Sequence, residues 1–409
     1  MSSAKPKLCI IGLGMASMRL LDELVKHRAT EQYDIAVFSA ESPAGYNRIM
    51  LSYLLTGEQT LASVTSHTPE WFAQQGIDLH LGVKVTAMDP VQQRFTTETG
   101  EMFGYDRLVL ATGSNASRIA LPGADLAGVH CFRDLQDVTQ LNDLAVQDAR
   151  PVMVLGAGLL GLEAAYGLAG KGHRVMVVHR SDRILSQQLD AMAGRLLQKA
   201  MEQQGIEFVL QRQLAEIQGK HQIEAVRLNQ GEAFEVKALI MAVGIQPNTK
   251  LAKQAGLLVN RGIVVNNALE TSQPAIYALG ECCEFEQQTF GLVAPIYRQA
   301  TILAASLMQL PTRPFEHQLS ATRLKVSGIE VFSFGDPNQA GDQLILQDPS
   351  LGLYRKVVLV DGVIQSAILL GNTQDANWLF ELHQQQIKID NSQRSALLFG
   401  EAYYERAAA

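Results

Sequence analysis

The residues with the clearest chemical use in this chain are glycines. Val152-Met153-Val154-Leu155-Gly156-Ala157-Gly158-Leu159-Leu160-Gly161-Leu162-Glu163 carries three of them at the spacing G-x-G-x-x-G. A β-rich run leads into the glycines, a helix-like run (residues 164–168) follows, and a second apolar run (174–178) comes next. In that context the first glycine permits a tight turn and the second lets the backbone approach a pyrophosphate. The third lets the helix pack close to the strand. The helix start adds free N–H groups and a positive dipole end. Gly156, Gly158, Leu159, Leu160 and Gly161 are therefore expected to cradle a dinucleotide.

The same theme opens the chain. Lys7-Leu8-Cys9-Ile10-Ile11 runs into Gly12-Leu13-Gly14-Met15-Ala16-Ser17, and an apolar pattern at Met18, Leu20, Leu21, Leu24 and Val25 continues as a helix. Gly12, Gly14, Met15 and Ala16 form the candidate loop, but Ser17 stands at the third glycine position. Alone, this copy does not separate a nucleotide loop from an ordinary glycine turn. Residues 34–41 then read as a strand ending at Glu41, whose carboxylate could accept hydrogen bonds from ribose hydroxyls. Its distance from Gly14 exceeds the usual spacing, with residues 27–33 as a longer helix-to-strand loop. Gly45-Tyr46-Asn47-Arg48 brings together an aromatic ring, an amide and a guanidinium suited to a phosphate or to a flavin's charge.

Two further turns match each other. Residues 106–110 read as a buried strand ending in Ala111-Thr112-Gly113, and residues 237–243 as one ending in Ala242-Val243-Gly244. Small residues there let the chain pass close to a bound nucleotide. Each glycine loop thus has its own return turn, an internal repeat that is the most informative feature of the sequence. The strand after the second loop ends in His179-Arg180, with Arg183 behind, and not in an acid. Basic groups suit the 2′-phosphate of NADPH, and a surface arginine is the competing reading.

The elements that must position these residues follow from composition. With 409 residues, 47% hydrophobic and 18% charged, the chain should fold into two or three globular domains. A net charge of −7 argues against nucleic acid as a partner. No apolar run is long enough for a membrane span, and Met1-Ser2-Ser3-Ala4-Lys5-Pro6 lacks a signal core, so a cytoplasmic location is expected. The four cysteines, Cys9, Cys131, Cys282 and Cys283, have no metal-site spacing, so no metal is expected. The adjacent pair Cys282-Cys283 reads as structural or incidental thiols, with a strained vicinal disulfide as the alternative. Pro311 and Pro314 mark a boundary. Beyond it, residues 324–334, 354–359 and 363–369 read as strands and about 376–386 as a helix; the tail from Asn391 carries no chemical signal.

Together the two loops, the two return turns and Ala278-Leu279-Gly280-Glu281 make the chain resemble the two-dinucleotide FAD/NAD(P)H oxidoreductases of the pyridine nucleotide-disulfide oxidoreductase superfamily. Tyr46-Asn47-Arg48-Ile49-Met50-Leu51-Ser52, Gln188-Leu189-Asp190, Gly291-Leu292-Val293-Ala294-Pro295 and Leu324-Lys325-Val326-Ser327-Gly328-Ile329 resemble segments of NAD(P)H nitrite reductase large subunits and assimilatory nitrate reductase electron-transfer subunits. The resemblance implies an α/β chain: two Rossmann-like domains, for FAD and for NAD(P)H, plus a smaller C-terminal α+β domain. The expected boundaries are 1–117 and 243–314 for FAD, 118–242 for NAD(P)H and 315–409 for the last domain. Gly12, Gly14, Glu41, the 111–113 turn and Pro295 would hold FAD, with Glu281 on its ribityl chain where the family more often has Asp. Gly156 to Gly161, His179, Arg180 and Gly244 would hold NADH or NADPH. Glu163 would lie near the nicotinamide and flavin rings, and Arg48 at the flavin edge; these two are the candidate catalytic residues.

One departure matters. Residues 41–61 contain no cysteine, whereas disulfide reductases of the superfamily carry a cysteine pair on an early helix, so thiol relay is not expected. The four cysteines also cannot supply the iron–sulfur modules of nitrite reductase. The expected activity is therefore electron input: NAD(P)H reduces FAD, which passes electrons to a separate iron–sulfur, rubredoxin-like or nitrate/nitrite reductase partner. Rubredoxin or ferredoxin reductase, NAD(P)H oxidase and a flavin redox sensor are the alternatives. Oligomeric state and the NADH/NADPH preference stay open.

Overall fold

A computed structural model describes residues 4–326 and 328–408. Met1, Ser2 and Ser3 of the N-terminal reading, and Ser327 of the segment 324–329, lie outside the described residues. The chain divides into two compact units, Met1–Ala116 with Gly244–Gln318, and Ser117–Val243 with Leu319–Ala409.

The first unit is built on a five-stranded parallel sheet in the order Ile276–Ala278, Arg107–Leu110, Lys7–Ile11, Asp34–Ser39, Asp78–Leu81. Its central strand is nearly all apolar because both faces are covered, and Leu8 and Ile10 are fully buried. Helix Met15–Lys26 follows the glycines and packs against helix Val293–Leu307. An antiparallel sheet of Val85–Asp89, Arg94–Thr97 and Met102–Gly104 adds an aromatic cluster, in which Phe38 stacks on His80 at 4.3 Å and meets Phe95 edge-on at 4.8 Å. The two return turns continue into a short antiparallel ribbon, Ser114–Ala116 with Ile245–Pro247.

The second unit repeats the plan. Its parallel sheet runs Ile206–Leu210, Val175–His179, Val152–Leu155, Ala238–Met241, Val129–Cys131. In each unit the glycine strand has its return strand on one side and the next strand of the βαβ on the other. Only the edge strand differs in origin: residues 276–278 come late in the chain, residues 129–131 just before the repeat begins. Helix Leu159–Gly170 is apolar on nearly every side, and strand Thr322–Val326 of the C-terminal part lies against it.

That C-terminal part is an antiparallel five-stranded sheet with three helices, Ala376–Gln384, Ala396–Phe399 and Glu401–Ala408. It is the expected α+β domain, with differences in detail. Residues 324–334 form two hairpin strands, Thr322–Val326 and Ile329–Phe334, turning at Gly328 with φ +74°. Strand Asp342–Asp348 was not anticipated: it is an edge strand between acidic residues, so its apolar signal is diluted. The tail, though chemically quiet, is helical because Leu397 is fully buried there.

Candidate functional site

The two glycine loops are held by the same bonds. The Gly12 amide donates to Phe38 O at 2.8 Å and the Gly156 amide to Val178 O at 2.8 Å, while Ala111 N–H and Ala242 N–H donate to Ile11 O and Leu155 O at 2.8 and 2.9 Å. Both first glycines have positive φ, +105° and +111°. A Cβ on Gly12 would sit 2.2 Å from Ala111 O, and one on Gly156 would sit 2.3 Å from Ala242 O. Each return turn therefore presses its backbone into the space a side chain would need, and only glycine fits.

The second glycines face the other way. A Cβ on Gly14 or Gly158 would meet no protein atom within 4 Å. Both are extended N-cap residues, and neither gives its helix a side-chain cap. The first-turn N–H groups of Met15 and Ala16, and of Leu159 and Leu160, lack intrahelical acceptors, and the space beside Gly14 and Gly158 is open. This fits a pyrophosphate in both loops.

The third position separates the copies. A Cβ on Gly161 would lie 2.1 Å from Gly156 O. Ser17, fully buried, instead turns its hydroxyl to donate to Gly12 O at 2.6 Å. The apparent defect is a hydrogen-bonded substitute.

Around the first loop, Glu41 lies two residues past its strand and accepts from Tyr46 Oη at 2.9 Å and from Arg48, whose guanidinium also sits 5.0 Å over the Tyr46 ring. Glu41 and Arg48 are separate candidates in the sequence; the fold pairs them directly, and Tyr46 contacts both. Glu281, in a short 3-10 turn after strand Ile276–Ala278, accepts from Ser114 Oγ at 2.6 Å. Thr112 Oγ1 donates to Asn248 O and Asn248 N–H to Gly113 O, at 2.7 and 2.9 Å, tying the Ala111–Gly113 turn to the chain just past Gly244. Pro295 is buried in the first turn of helix Val293–Leu307.

Around the second loop, Glu163 is partly buried without an ion-pair or hydrogen-bond partner among the described residues, and burial alone raises its carboxyl to about 7. His179 turns its ring inward, so that Nδ1 accepts from the Ala157 amide at 3.2 Å. Burial, helped by Arg180, lowers its pKa and keeps it neutral. Arg180 is exposed. Arg183 is committed to Leu189 O, Ser186 O and Asp182. The inward turn of His179 was not legible in sequence, because nothing in the residue order reveals a bond to the loop it follows.

Cys282 and Cys283 directly follow Glu281 but spend their thiols on backbone carbonyls. Cys282 Sγ donates to Leu279 O and Leu110 O at 3.3 and 3.4 Å, and Cys283 Sγ to Gly280 O at 3.2 Å. Both are free and buried, and burial raises both thiols, so they are protonated packing groups. Among the described residues no helix is long and apolar enough to cross a membrane.

A five-stranded parallel sheet bearing an uncapped glycine loop, present twice in one chain, has the architecture of a two-nucleotide α/β enzyme. The chain belongs to the pyridine nucleotide-disulphide oxidoreductase family, whose model matches residues 6–302. This makes it an FAD-dependent NAD(P)H oxidoreductase. Residues 321–387 match the rubredoxin NAD+ reductase C-terminal domain. An NAD(P)H nitrite reductase of Bacillus subtilis is 39% identical over 96% of this chain and 49% of its own length. An assimilatory nitrate reductase electron transfer subunit of the same organism is 37% identical over 95% of this chain and 51% of its own. The chain thus spans about half the length of these curated relatives. In fold it is similar to a ferredoxin reductase of Rhodopseudomonas palustris, with a TM-score of 0.87 at 23% identity over 99% of this chain and all of that one.

Proposed function

We propose that the chain is an electron-input reductase of nitrate or nitrite assimilation, working in the cytoplasm where NAD(P)H is generated. The observation that carries this reading is the pair of matched glycine loops, each closed by its return turn and open at its second glycine. Gly12, Gly14, Met15, Ala16, Glu41, Arg48, the Ala111–Gly113 turn, Glu281 and Pro295 would hold FAD. Gly156, Gly158, Leu159, Leu160, Gly161, His179, Arg180 and Gly244 would hold NADH or NADPH. When bound, FAD supplies a two-electron hydride acceptor that can release electrons singly.

The chain's own residues do the positioning. Each uncapped helix start would hold the phosphates of its own nucleotide. Arg48, paired with Glu41, would place a permanent cation on the ribose and phosphate side of the FAD site, not at the flavin edge that the resemblance implies. Glu163, with a carboxyl near neutrality, can hold or release a proton at its own oxygen at working pH. With its cysteines buried and protonated, the chain has no thiol relay among the described residues, so the exit is expected to be direct, to a docked redox protein.

The likeness to the nitrite and nitrate reductase proteins over nearly the whole chain supports the assimilatory role. The match of residues 321–387 supports a second reading, reduction of a rubredoxin- or ferredoxin-like carrier outside nitrogen metabolism. An acceptor screen separates them: NAD(P)H-driven reduction of a nitrite reductase iron–sulfur module, a ferredoxin and a rubredoxin, each against oxygen. Preference for the first supports assimilation; preference for rubredoxin supports the second reading.

A further inference from the structure

Asp190 is the N-cap of helix Ala191–Glu202, and its two carboxylate oxygens do different work. Oδ1 accepts from the Ala193 amide at 3.0 Å. Oδ2 accepts from the Tyr354 hydroxyl at 2.7 Å and from Lys356 Nζ at 3.2 Å. Tyr354 and Lys356 belong to strand Leu353–Val360 of the C-terminal sheet, and both are buried. Lys356 Nζ also donates to Pro337 O at 3.1 Å. Burial pushes the Asp190 carboxyl up, but the Ala193 amide, Tyr354 and Lys356 outweigh it and hold the group below its ordinary range. The clasp is a buried ion pair with its hydrogen bonds satisfied, the kind whose loss leaves an uncompensated charge.

From Asp190 the chain leads through the directly preceding Leu189 into a hydrogen-bonded turn that reaches back to the second glycine loop. Gln188 and Leu189 N–H both donate to Leu185 O at 2.8 Å, and Leu185 N–H donates to Ala157 O at 2.9 Å. Ala157 lies between Gly156 and Gly158, and its N–H is the one that His179 accepts. The two peptides that flank the Ala157 Cα are therefore both held from outside the loop, the one before it by His179 and the one after it by Leu185. Leu185 has φ +46°, a left-handed conformation that a leucine keeps only when its surroundings enforce it. Its burial and the turn through Gln188 and Leu189 to Asp190 supply that enforcement.

We propose that Asp190, Tyr354 and Lys356 are positioning residues for the pyridine nucleotide: the C-terminal sheet holds Asp190, which holds the Leu185 turn, which holds the Ala157 peptide of the glycine loop. The inference rests on the reading that the Gly156–Gly161 loop binds NAD(P)H. It gives the C-terminal domain a task in the reaction besides any contact with an acceptor. Loss of the clasp lets Leu185 relax toward ordinary backbone angles and withdraws its N–H from Ala157, which loosens the pyrophosphate cradle. Affinity for nucleotide falls, while the rate at saturation holds.

The test uses the FAD-loaded full chain, with NADH and NADPH as probes and stopped-flow flavin absorbance as the readout. Lys356→Met, and the milder Tyr354→Phe, are expected to raise the half-saturating nucleotide concentration about five- to tenfold. The limiting rate and the FAD content should stay unchanged, and Lys356→Arg should restore most of the affinity. Gly161→Val serves as the control for the underlying reading. If it abolishes nucleotide dependence while folded Lys356→Met and Tyr354→Phe saturate as the parent does, the clasp does not position the loop and the inference fails. If Gly161→Val itself leaves saturation unchanged, the assignment of the loop fails instead. Tyr354→Phe removes one hydroxyl, so it keeps the test decisive if Lys356→Met does not fold.

Discussion

The two halves of the repeat share a backbone and differ in what they place on it. Gly12 and Gly156 make the same bonds, carry nearly the same φ and press on the same return-turn carbonyl. Counting along the helices from these glycines, Ser17 stands where the second unit has Gly161, and Arg19 where it has Glu163. Arg19 is paired with Glu23 at 2.6 Å and lies 5.6 Å over the Tyr297 ring. Glu163 has no such partner among the described residues and is poised near neutrality. The fold supplies two equivalent loops; one carries an ion-paired cation beside it, the other an acid with no ion-pair partner among the described residues. The difference teaches that a partly buried carboxyl left without a cation holds its proton up to about neutrality, the property a proton-handling group would need.

The largest effects should come from the first glycines. Gly12→Ala and Gly156→Ala each force a Cβ onto a carbonyl at a positive φ, a cost of about 2–4 kcal/mol. Gly12→Ala is expected to be purified without FAD, and Gly156→Ala to keep FAD but lose saturable NAD(P)H dependence, read by flavin absorbance after gel filtration and by titration. Exchange of the third residues should be asymmetric. Gly161→Ser pushes a Cβ into Gly156 O and should cost the second unit about 2 kcal/mol, whereas Ser17→Ala loses one hydrogen bond, about 1 kcal/mol. Ser17→Leu, too large for that buried position, should lower flavin content, and full retention would show that the contact is elsewhere.

Next in size is the acid. Its folded-state pKa, raised to about 7, means the proton stays on below neutrality and leaves above it. The associated stability is fully present below the ordinary carboxylate range and is lost as pH rises through about 7. Glu163→Gln should therefore be more stable than the parent at pH 8 by about 1–2 kcal/mol, discounted for partial exposure, with no advantage near pH 4. Thermal melts at the two pH values check it. The pH profile of nucleotide-driven flavin bleaching should bend near 7 in the parent and lose that bend in Glu163→Gln. The smallest effect is expected from exposed Arg180: Arg180→Glu should weaken NADPH a few-fold and leave NADH nearly unchanged, and equal behaviour of both nucleotides would remove Arg180 from the 2′-phosphate contact.

Much of this was legible in the residue order because it rests on local pattern. The glycine spacing, the β-rich runs before it and the small-residue return turns predict two βαβ units, and both form. The third-residue difference was visible, but its meaning was not, since the Ser17 hydroxyl finds Gly12 O only once the helix is packed. His179 was readable as a basic residue at a strand end; its turn toward Ala157 depends on the depth of burial, which a sequence does not display. Glu41 and Arg48 lie seven residues apart, within reach of inspection, yet their direct pairing depends on the path of the segment between them, where Tyr46 bonds Glu41 and bridges to Thr65. Least legible was the Asp190 clasp, whose partners lie more than 160 residues away.

In the proposed function one chain takes in hydride equivalents and hands electrons to a separate protein. An anaerobic reaction of the FAD-loaded chain with NADH or NADPH and a purified ferredoxin-like acceptor, followed at flavin and acceptor wavelengths, tests it most directly. Flavin bleaching is expected on nucleotide addition, then stoichiometric acceptor reduction at a rate well above that with oxygen. Fast turnover with oxygen alone, and none with any protein carrier, would contradict it.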